Sequence, residues 1–237
     1  MKAKIVNGTM LRLLKRIGNF ANEAGYSAFL VGGTVRDIIL GRDSLDLDIV
    51  VEGDAIKLGE ALAKELDGKL VTHRGFGTCS VSIKDGLRLD LATARKEKYR
   101  RPGAMPTVEF SSLEDDLSRR DFTINAMAIG LNKDNFGQLV DLFGGKRDLD
   151  LKFIRAMHDR SFIDDPTRIF RAVKLEQRLG FAIEAHTLRL INAAVQDNAI
   201  SKVSRGRIRK EMALISKEKS KGKILKRLAG VIRRFKL

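Results

Sequence analysis

The chain has 237 residues, of which 43% are hydrophobic and 32% charged, and this composition excludes a collagen-like or wholly disordered protein. At roughly 150 residues per domain, the length predicts one or two domains. No run of about 18 apolar residues is present, so no membrane partner is expected. The lone Cys79, and first residues that do not resemble a secretory signal, favour a reducing, cytoplasmic location.

Positive charge is concentrated at the end of the chain. Residues 201–237 carry 14 Lys and Arg against two Glu, which is +12 of the total net charge of +15. A basic segment of this density is typical of proteins that bind a polyanion such as nucleic acid. A solvated helix face would give the same charge pattern, so both interpretations stay open.

Helical and alternating hydrophobic patterns interchange along the first 92 residues. They predict a helix at 9–25, a strand at 26–31, a helix at 34–40, a strand at 44–51, a helix at 55–66 and strands at 77–83 and 87–92. Asp85 and Gly86, between the last two strands, form a tight-hairpin signal. The pattern predicts a mixed sheet with helices packed on it, which is an α/β fold.

The second half of the chain is predicted to be mainly helical. Residues 95–116 contain Pro, Gly and many charges without sustained periodicity, and predict a long loop of the kind that commonly has a function. Later helices are predicted at 165–179, 185–197 and 204–216. The predicted domains are an α/β head over 1–145, a helical neck and body over 146–216, and a basic tail over 217–237.

Two aspartates on one predicted strand suggest a metal site. Asp46 and Asp48 alternate with apolar residues, so they project from one face about 7 Å apart along the strand. Carboxylates at this separation repel each other unless a cation lies between them. Gly32 and Gly33 open the preceding helix, whose first N–H groups can bind phosphate. Because Mg²⁺ prefers carboxylate and phosphate oxygens, the combination predicts a metal–nucleotide site.

Asp90 is a third acidic residue, flanked by Leu89 and Leu91 on a later predicted strand. Three acids on neighbouring strands can hold two metal ions, one that activates an attacking hydroxyl and one that binds the leaving phosphates. The arrangement predicts nucleotidyl transfer. A plain strand-to-helix turn and a solvated Asp-x-Asp edge would show the same residues, so the pattern alone leaves a structural role open.

Four segments, in order, resemble motifs of the class II tRNA nucleotidyltransferase and bacterial poly(A) polymerase family, within the DNA polymerase β-like superfamily. They are FLVGGTVRDIILGRDSLDLDIVV (29–51), RRDFTINAMAI (119–129), DLFGG (141–145) and DDPTRIFRAVKLEQRLGF (164–181). The resemblance implies an α/β nucleotidyltransferase head with a mixed sheet, followed by an all-helical neck and body. It also implies further helical domains that grip tRNA and are not in this sequence, so the chain would be an unusually short member.

The resemblance implies roles for individual residues. Asp46 and Asp48 would be the catalytic, metal-binding pair, with Asp90 as the third acid. The residues implied to frame the triphosphate and its turn are Gly32, Gly33, Arg36 and Asp37, and those implied near the sugar are Arg120, Asp121 and Asn125. Asp121 can instead have a structural role, and Arg171 is implied to contact a phosphate.

The resemblance also implies an amino-acid template for the incoming base, formed by Asp165 and Arg168. At positions i and i+3 they would lie on one helical face, where a carboxylate and a guanidinium can meet the edge of cytosine or adenine. Without the resemblance, Asp165 is interpreted as a helix cap and Arg168 as a solvated ion pair.

Two segments bear on the subfamily. Residues 92–122 resemble the form seen in CCA-adding and A-adding enzymes, and we hypothesise that a loop at Gly103 acts as a lever that reorients the template pair. VSRGRIRKEM (203–212) resembles the neck motif, but Gly206 stands where the family usually has Glu, which puts the helix packing there in doubt.

The function implied is a template-independent RNA nucleotidyltransferase that adds C, C and A, from CTP and ATP, to the 3′ end of tRNA with Mg²⁺ in a two-metal mechanism. The alternatives are an A-adding enzyme, a small poly(A) polymerase and, from another class, a non-catalytic RNA-binding remnant. The basic residues predicted to contact tRNA are Arg205, Arg207, Lys223, Lys226, Arg227, Arg233 and Arg234.

Overall fold

A computed structural model describes residues 8–42, 46–83 and 86–233 of the chain. The chain forms two compact units. The first comprises Met1–Lys96, Val108–Arg120 and Ile124–Gly145, and the second comprises Glu97–Thr107, Asp121–Thr123 and Lys146–Leu237. The domain boundaries predicted after residues 145 and 216 remain predictions.

The chain alternates helices and strands until residue 140 and is then mainly helical. The helices are α1 (Gly8–Glu23), α2 (Gly33–Ile39), α3 (Ala55–Glu65), α4 (Leu113–Ser118), α5 (Gly145–Asp150), α6 (Ser161–Asp164), α7 (Arg168–Leu179), α8 (Ala185–Gln196), α9 (Arg205–Ser216) and α10 (Lys221–Arg233). The strands are β1 (Ser27–Val31), β2 (Asp46–Glu52), β3 (Lys69–His73), β4 (Thr78–Ser82), β5 (Arg88–Thr93), β6 (Arg95–Lys98), β7 (Thr107–Phe110), β8 (Ala128–Gly130), β9 (Leu139–Val140), β10 (Phe153–Ile154) and β11 (Ala182–Ile183).

The first unit is built on a seven-stranded sheet in the order β3-β4-β5-β2-β1-β8-β9. Strands β2 and β5 pair in parallel, while every other pair of neighbours in the sheet is antiparallel. The predicted mixed sheet with helices on it is therefore confirmed. The antiparallel pair β4 and β5 also confirms the predicted hairpin, although its Asp85 lies outside the described residues.

Strand β2 buries both of its faces at one end and exposes one of them at the other. Leu47, Ile49 and Val51 are buried, as alternation predicts. Val50, on the opposite face, belongs to a core cluster with residues of β1, β8 and α4. The same face carries the exposed Asp46 at the start of the strand. The strand is thus fixed by apolar packing, which holds its polar end in place.

A glycine turn joins β1 to α2. Gly32 has φ 71° and ψ −137°, a backbone conformation that other residues rarely adopt. This turn confirms the predicted strand, turn and helix. Farther along, Asp54 begins α3 by accepting hydrogen bonds from the backbone N–H groups of Ile56 and Lys57, each at 3.0 Å.

The secondary-structure prediction was wrong in one segment and incomplete in another. The predicted loop at 95–116 contains β6, β7 and α4, and β3 was not predicted. Strand β6 is charged and partly buried along most of its length, and β7 is mostly exposed, so neither has the alternation of buried and exposed residues that marks a half-buried strand. Within the predicted basic tail, α10 buries Ile224, Leu228 and Val231, which are about one helical turn apart. The tail as a separate domain stays a prediction.

The second unit is helical apart from a short parallel pair, β10 and β11. This pair is too short to be foreseen, so the predicted all-helical body needs that correction. Buried residues of α7, including Ile169, Ala172 and Val173, form part of its core. Among the described residues, no helix is long and apolar enough to cross a lipid bilayer.

Candidate active site

The parallel pairing of β2 and β5 places two of the predicted catalytic acids side by side. Asp48 pairs with Asp90 in register, and Asp46 pairs with Arg88. Adjacent strands lie about 4.8 Å apart, so the carboxylates of Asp48 and Asp90 reach the same space. Both Asp46 and Asp48 are exposed at this end of the strand. The structure therefore brings these acids to one edge of the sheet.

Asp90 is held by its neighbours. The Ser80 hydroxyl and the Arg88 Nε both donate hydrogen bonds to Asp90 Oδ1, the latter at 2.9 Å. Arg88 also donates to the Ser80 hydroxyl at 3.1 Å. These bonds orient the carboxylate and balance its charge. Its role as the third acid stays a prediction.

The glycine turn lies next to the acids. A Cβ atom added to Gly32 would lie 2.8 Å from Arg120 Nη1 and 3.8 Å from Asp48 Oδ2. A side chain at this position would collide with Arg120. Because glycine has no side chain, the turn, the Asp48 carboxylate and the Arg120 guanidinium can lie close together. This arrangement suits a phosphate that needs both N–H donors and positive charge. The implied place of Arg120 near the sugar stays a prediction.

The structure places Arg36 beneath this turn. Its side chain is only 3% exposed, donates to both carboxylate oxygens of Asp37 at 2.7 and 2.9 Å, and donates to Asn125 Oδ1 at 2.6 Å. Gly33 lies directly over the guanidinium. These contacts show a brace for the turn. A direct contact of Arg36, Asp37 or Asn125 with nucleotide remains a prediction.

A cleft of about 380 Å³ opens beside the acids. It is lined by side chains that include Asp48, His73, Ser80, Arg88, Asp90, Arg119 and Arg120. The sequence reasoning did not identify Ser80, Arg88 or Arg119. The cleft is mixed in charge, with carboxylates at the sheet edge and arginines next to the glycine turn, as a site for a metal-bound anion requires.

Cys79 also lines the cleft but is not a nucleophile. It is buried, and its thiol donates a hydrogen bond to the Ala55 carbonyl at 3.3 Å. Burial, together with the negative charges of Glu60, Asp54 and Asp90, raises the pKa of Cys79 to about 11. The neutral thiol packs as a small apolar group.

In the second unit, the predicted template pair differs from its expected geometry. Asp165 has an extended backbone, with φ −134° and ψ 91°, and α7 begins only at Arg168. The residue before a proline avoids the helical region, and Pro166 follows Asp165. The two side chains therefore do not occupy positions i and i+3 of one helix, which corrects that part of the prediction.

Both members of the pair already have partners. Asp165 Oδ1 accepts hydrogen bonds from the backbone N–H and hydroxyl of Thr167, at 3.0 and 2.6 Å, and from Arg207 at 2.7 Å. Arg168 is 5% exposed and donates to the Ser161 hydroxyl at 2.7 Å. Their role as a base template stays a prediction. The hydrogen bond from the Thr167 backbone N–H to Asp165 is the kind of contact that the alternative interpretation, a helix cap, expects.

Asp121 and Arg171 form an ion pair with 2.6 Å between Asp121 Oδ2 and Arg171 Nε. The charge of Asp121 raises the pKa of Arg171. Asp121 is 6% exposed, and its other oxygen accepts from the Phe122 backbone N–H at 2.9 Å. This is the structural role foreseen as the alternative for Asp121, and nucleotide contacts of either residue remain predictions.

The segment around Gly103 is attached to α9. Gly103 has φ +70°, donates its N–H to the Asp164 carbonyl at 3.2 Å, and accepts from Arg207 Nη1 at 3.0 Å. A Cβ atom at Gly103 would lie 2.8 Å from the Lys202 carbonyl oxygen. Arg207 thus joins this segment to Asp165. The predicted lever at Gly103 stays a hypothesis.

The basic residues predicted to bind RNA have different environments. Lys223 and Lys226 are exposed on α10 and line a groove with Gln177, and Arg205 is exposed on α9. Arg207 and Arg227 instead form ion pairs, Arg227 with Glu176 at 2.8 Å. Nothing is described for the Arg233 side chain, and Arg234 lies outside the described residues.

The donor chemistry at the start of β2 fits a divalent cation. Asp46 and Asp48 supply carboxylate oxygens, the ligands that Mg²⁺ prefers, together with phosphate oxygens and water. Within residues 8–42, 46–83 and 86–233, no group of three or more His, Cys, Asp or Glu side chains is placed to hold one metal ion. A cation here would therefore need ligands from a bound substrate as well as from the protein.

Comparison with known proteins places this chain and its fold in a family. A family model described as the poly A polymerase head domain matches residues 28–155, more than half of the chain. The apo form II structure of a CCA-adding enzyme superposes with a TM-score of 0.91 and 46% identity, over 96% of this chain and 54% of that one. The chain belongs to the class II nucleotidyltransferase family.

Curated relatives support the same assignment. An A-adding tRNA nucleotidyltransferase of Geobacter sulfurreducens is 45% identical over 92% of this chain and 25% of its own length. Another A-adding enzyme, of Halalkalibacterium halodurans, is 45% identical over 88% of this chain and 49% of its own length. Other similar proteins are named CC-adding or CCA-adding enzymes, and similar structures include complexes with ATP, CTP and tRNA. The chain thus spans between a quarter and about half of the relatives it matches.

Proposed function

We propose that this chain transfers nucleotides from CTP and ATP to the 3′ end of tRNA without a nucleic-acid template and completes the CCA end. The observation that carries the proposal is the register of β2 and β5, which sets Asp48 beside Asp90 and opposite the Gly32 turn. The similar structures solved with ATP, CTP and tRNA support the substrates.

In the proposed reaction, the terminal ribose hydroxyl of tRNA attacks the α-phosphorus of the triphosphate. A new oxygen–phosphorus bond forms, the bond to the β-phosphate oxygen breaks, and pyrophosphate leaves while the hydroxyl proton is released. Asp46 and Asp48 would hold Mg²⁺, which when bound supplies neutralisation of phosphate charge and activation of the hydroxyl.

The residues of the chain position the other groups. The N–H groups at the start of α2 and the guanidinium of Arg120 face the place where phosphates would bind. Arg36 holds that turn in shape through Asp37 and Asn125. Ser80 and Arg88 hold Asp90 in its orientation next to Asp48. Each of these groups is set before substrate arrives, which is how an electrostatic site lowers a barrier.

A second candidate, addition of only the final A, is favoured by a specific observation. The two relatives at 45% identity are both named A-adding enzymes. Segment 92–122, which includes the segment held by Arg207, does not separate the two activities. An assay of the terminal nucleotides does.

The test uses purified chain with Mg²⁺ and three tRNA transcripts, which end before CCA, after the first C and after CC. CTP and ATP are supplied singly and together, and the products are resolved by length. We expect growth by C, C and A. Addition of a single A to the CC end alone would establish the second candidate, unlimited A tails would indicate polyadenylation, and no addition by intact chain would leave an RNA-binding remnant.

A further inference from the structure

One buried carboxylate accepts hydrogen bonds from two of the arginines that line the cleft, Arg119 and Arg120. Asp116 lies on α4 with 0% of its surface exposed. Its Oδ1 accepts from Arg119 Nη2 at 2.5 Å and from Arg119 Nε at 3.0 Å. Its Oδ2 accepts from Arg120 Nη2 at 2.8 Å. Each carboxylate oxygen of Asp116 therefore accepts hydrogen bonds from one of the two arginines.

These bonds determine where Arg120 points. With Nη2 fixed by Asp116, the other terminal nitrogen, Nη1, lies over Gly32, where a Cβ atom would come within 2.8 Å of it. The guanidinium is planar, so fixing one nitrogen fixes the direction of the other. Arg120 is 17% exposed and Arg119 19% exposed, and both line the cleft.

The charge balance of this cluster also favours an anion. One carboxylate faces two guanidinium groups, so the three side chains carry a net charge of +1 beside the glycine turn. Within the described residues, the buried Nε of Arg120 has no hydrogen-bond partner. A phosphate at the turn would provide both the missing negative charge and further acceptor oxygens.

We propose that Asp116 is a positioning residue that aims Arg120 at the phosphates of the incoming nucleotide. This inference rests on the proposed function. Asp116 has no access to the cleft, so it acts only through the arginines. Asp116 lies on the short helix α4, which packs into the core through Leu113 and Leu117 and directly precedes the two arginines.

The test replaces Asp116 by Asn, which keeps the shape and removes the charge. We expect the KM for ATP and CTP to rise at least about tenfold, the effect of weakening one hydrogen bond to a charged group. The inhibition constant of pyrophosphate should rise by the same factor, while kcat and the KM for tRNA change little. The matched control is Glu114→Gln, which removes an exposed charge from the same helix and should leave all four constants unchanged.

A merely structural role gives a different pattern. If Asp116 acts through Arg120, the double variant Asp116→Asn/Arg120→Met has the same nucleotide KM as Arg120→Met alone. A further loss in the double variant, or an unchanged pyrophosphate constant in Asp116→Asn, overturns the proposal. If Asp116→Asn does not fold, the variant Asp116→Glu is used instead, because it keeps the charge and moves the carboxylate. A nucleotide KM for Asp116→Glu equal to that of the parent would then overturn the proposal.

The outcome for the parent protein separates this inference from the proposed function. A parent chain that neither transfers nucleotides nor binds pyrophosphate removes the proposed function and this inference with it. If the parent transfers nucleotides and binds pyrophosphate, and Asp116→Asn has the same nucleotide KM and pyrophosphate inhibition constant as the parent, only the proposed role of Asp116 is wrong.

Discussion

Two pairs of acids, Asp46 and Asp48 in the first unit and Asp121 and Asp165 in the second, have different surroundings. Asp46 and Asp48 stand exposed at the end of β2, where the strand itself fixes their direction through the packing of Leu47 and Ile49. Asp121 and Asp165 are largely enclosed, and arginine side chains hold them, at 2.6 Å from Arg171 and 2.7 Å from Arg207. The first pair is therefore exposed to solvent, whereas the second pair lies against its arginine partners.

Under the proposed function, this difference would separate the residues of the transfer step from those that select the nucleotide. A carboxylate presented by a strand keeps its place when a neighbouring side chain changes. A carboxylate oriented by an arginine moves when that arginine is lost, since a buried charge without its partner must find another or take in water. We therefore expect substitutions in the first group to abolish transfer without unfolding the protein, and substitutions in the second to alter which nucleotide is accepted.

The largest effect is expected for Asp48→Asn. Loss of this carboxylate should lower the rate of nucleotide incorporation at least ~10³-fold, since several kcal/mol of charge stabilisation disappear from the reacting centre. Because Asp48 is exposed, the free energy of unfolding should change by less than about 0.5 kcal/mol. Single-turnover incorporation and urea denaturation measure the two. Asp134→Asn, also exposed in the first unit, is the control. A loss below tenfold would contradict the assignment.

A smaller effect, on selectivity, is expected for Arg207→Lys. Lysine keeps the charge but cannot bond both Asp165 and the Gly103 carbonyl with one planar group. Discrimination of ATP and CTP against GTP and UTP should fall about tenfold, the worth of roughly one hydrogen bond. The measurement is the ratio of kcat/KM values, with Arg209→Lys, exposed on the same helix, as control. A uniform fall for all four nucleotides would mean that Arg207 supports the fold alone.

The exposed lysines of α10 give a third, weaker test. If Lys223 and Lys226 contact RNA phosphates, replacing both by Gln should lower the slope of log affinity against log salt by about 1.5. The affinity should fall equally for tRNAs of different sequence. Filter binding between low and moderate salt measures the slope, and the exposed pair Lys69 and Lys133, changed together to Gln, provides the control. An unchanged slope would remove α10 from the RNA surface.

The sequence predicted the helices and strands that have a regular hydrophobic pattern better than it predicted side-chain pairing, for a physical reason. Strict alternation along β2 and a helical apolar face on α1 are local signals, and both elements lie where they were predicted. Side-chain pairing between distant positions has no such signal. The bond from Arg207 to Asp165 joins residues 42 positions apart, and the extended backbone of Asp165 follows from the proline after it.

Asp116 shows a signal that was present but not used. The spacing of three and four residues from Asp116 to Arg119 and Arg120 is the spacing at which side chains meet on a helix. The prediction of a loop at 95–116 rests on Pro, Gly and many charges without sustained periodicity, and α4, capped by Ser112, is too short to show that periodicity. Recognising the cap would have predicted α4, and with it the ion pairs.

The smallest effect is expected at Glu184, which begins α8 and takes no part in the site. Burial raises its pKa, but hydrogen bonds from the backbone N–H groups of His186 and Thr187, with the charge of Arg155, outweigh it and lower the pKa overall. A lowered pKa in the folded state adds stability above the unfolded value, near 4.3, and that stability is lost as pH falls through the folded value. Glu184→Gln should therefore cost about 1 kcal/mol at pH 7 and progressively less below pH 4. Urea denaturation at pH 7 and below pH 4 measures the free energy of unfolding, with Glu114→Gln as the exposed control. A loss of unfolding free energy that stays constant with pH would show that the cap acts without its charge. Nucleotide incorporation by Glu184→Gln at pH 7 should equal that of the parent.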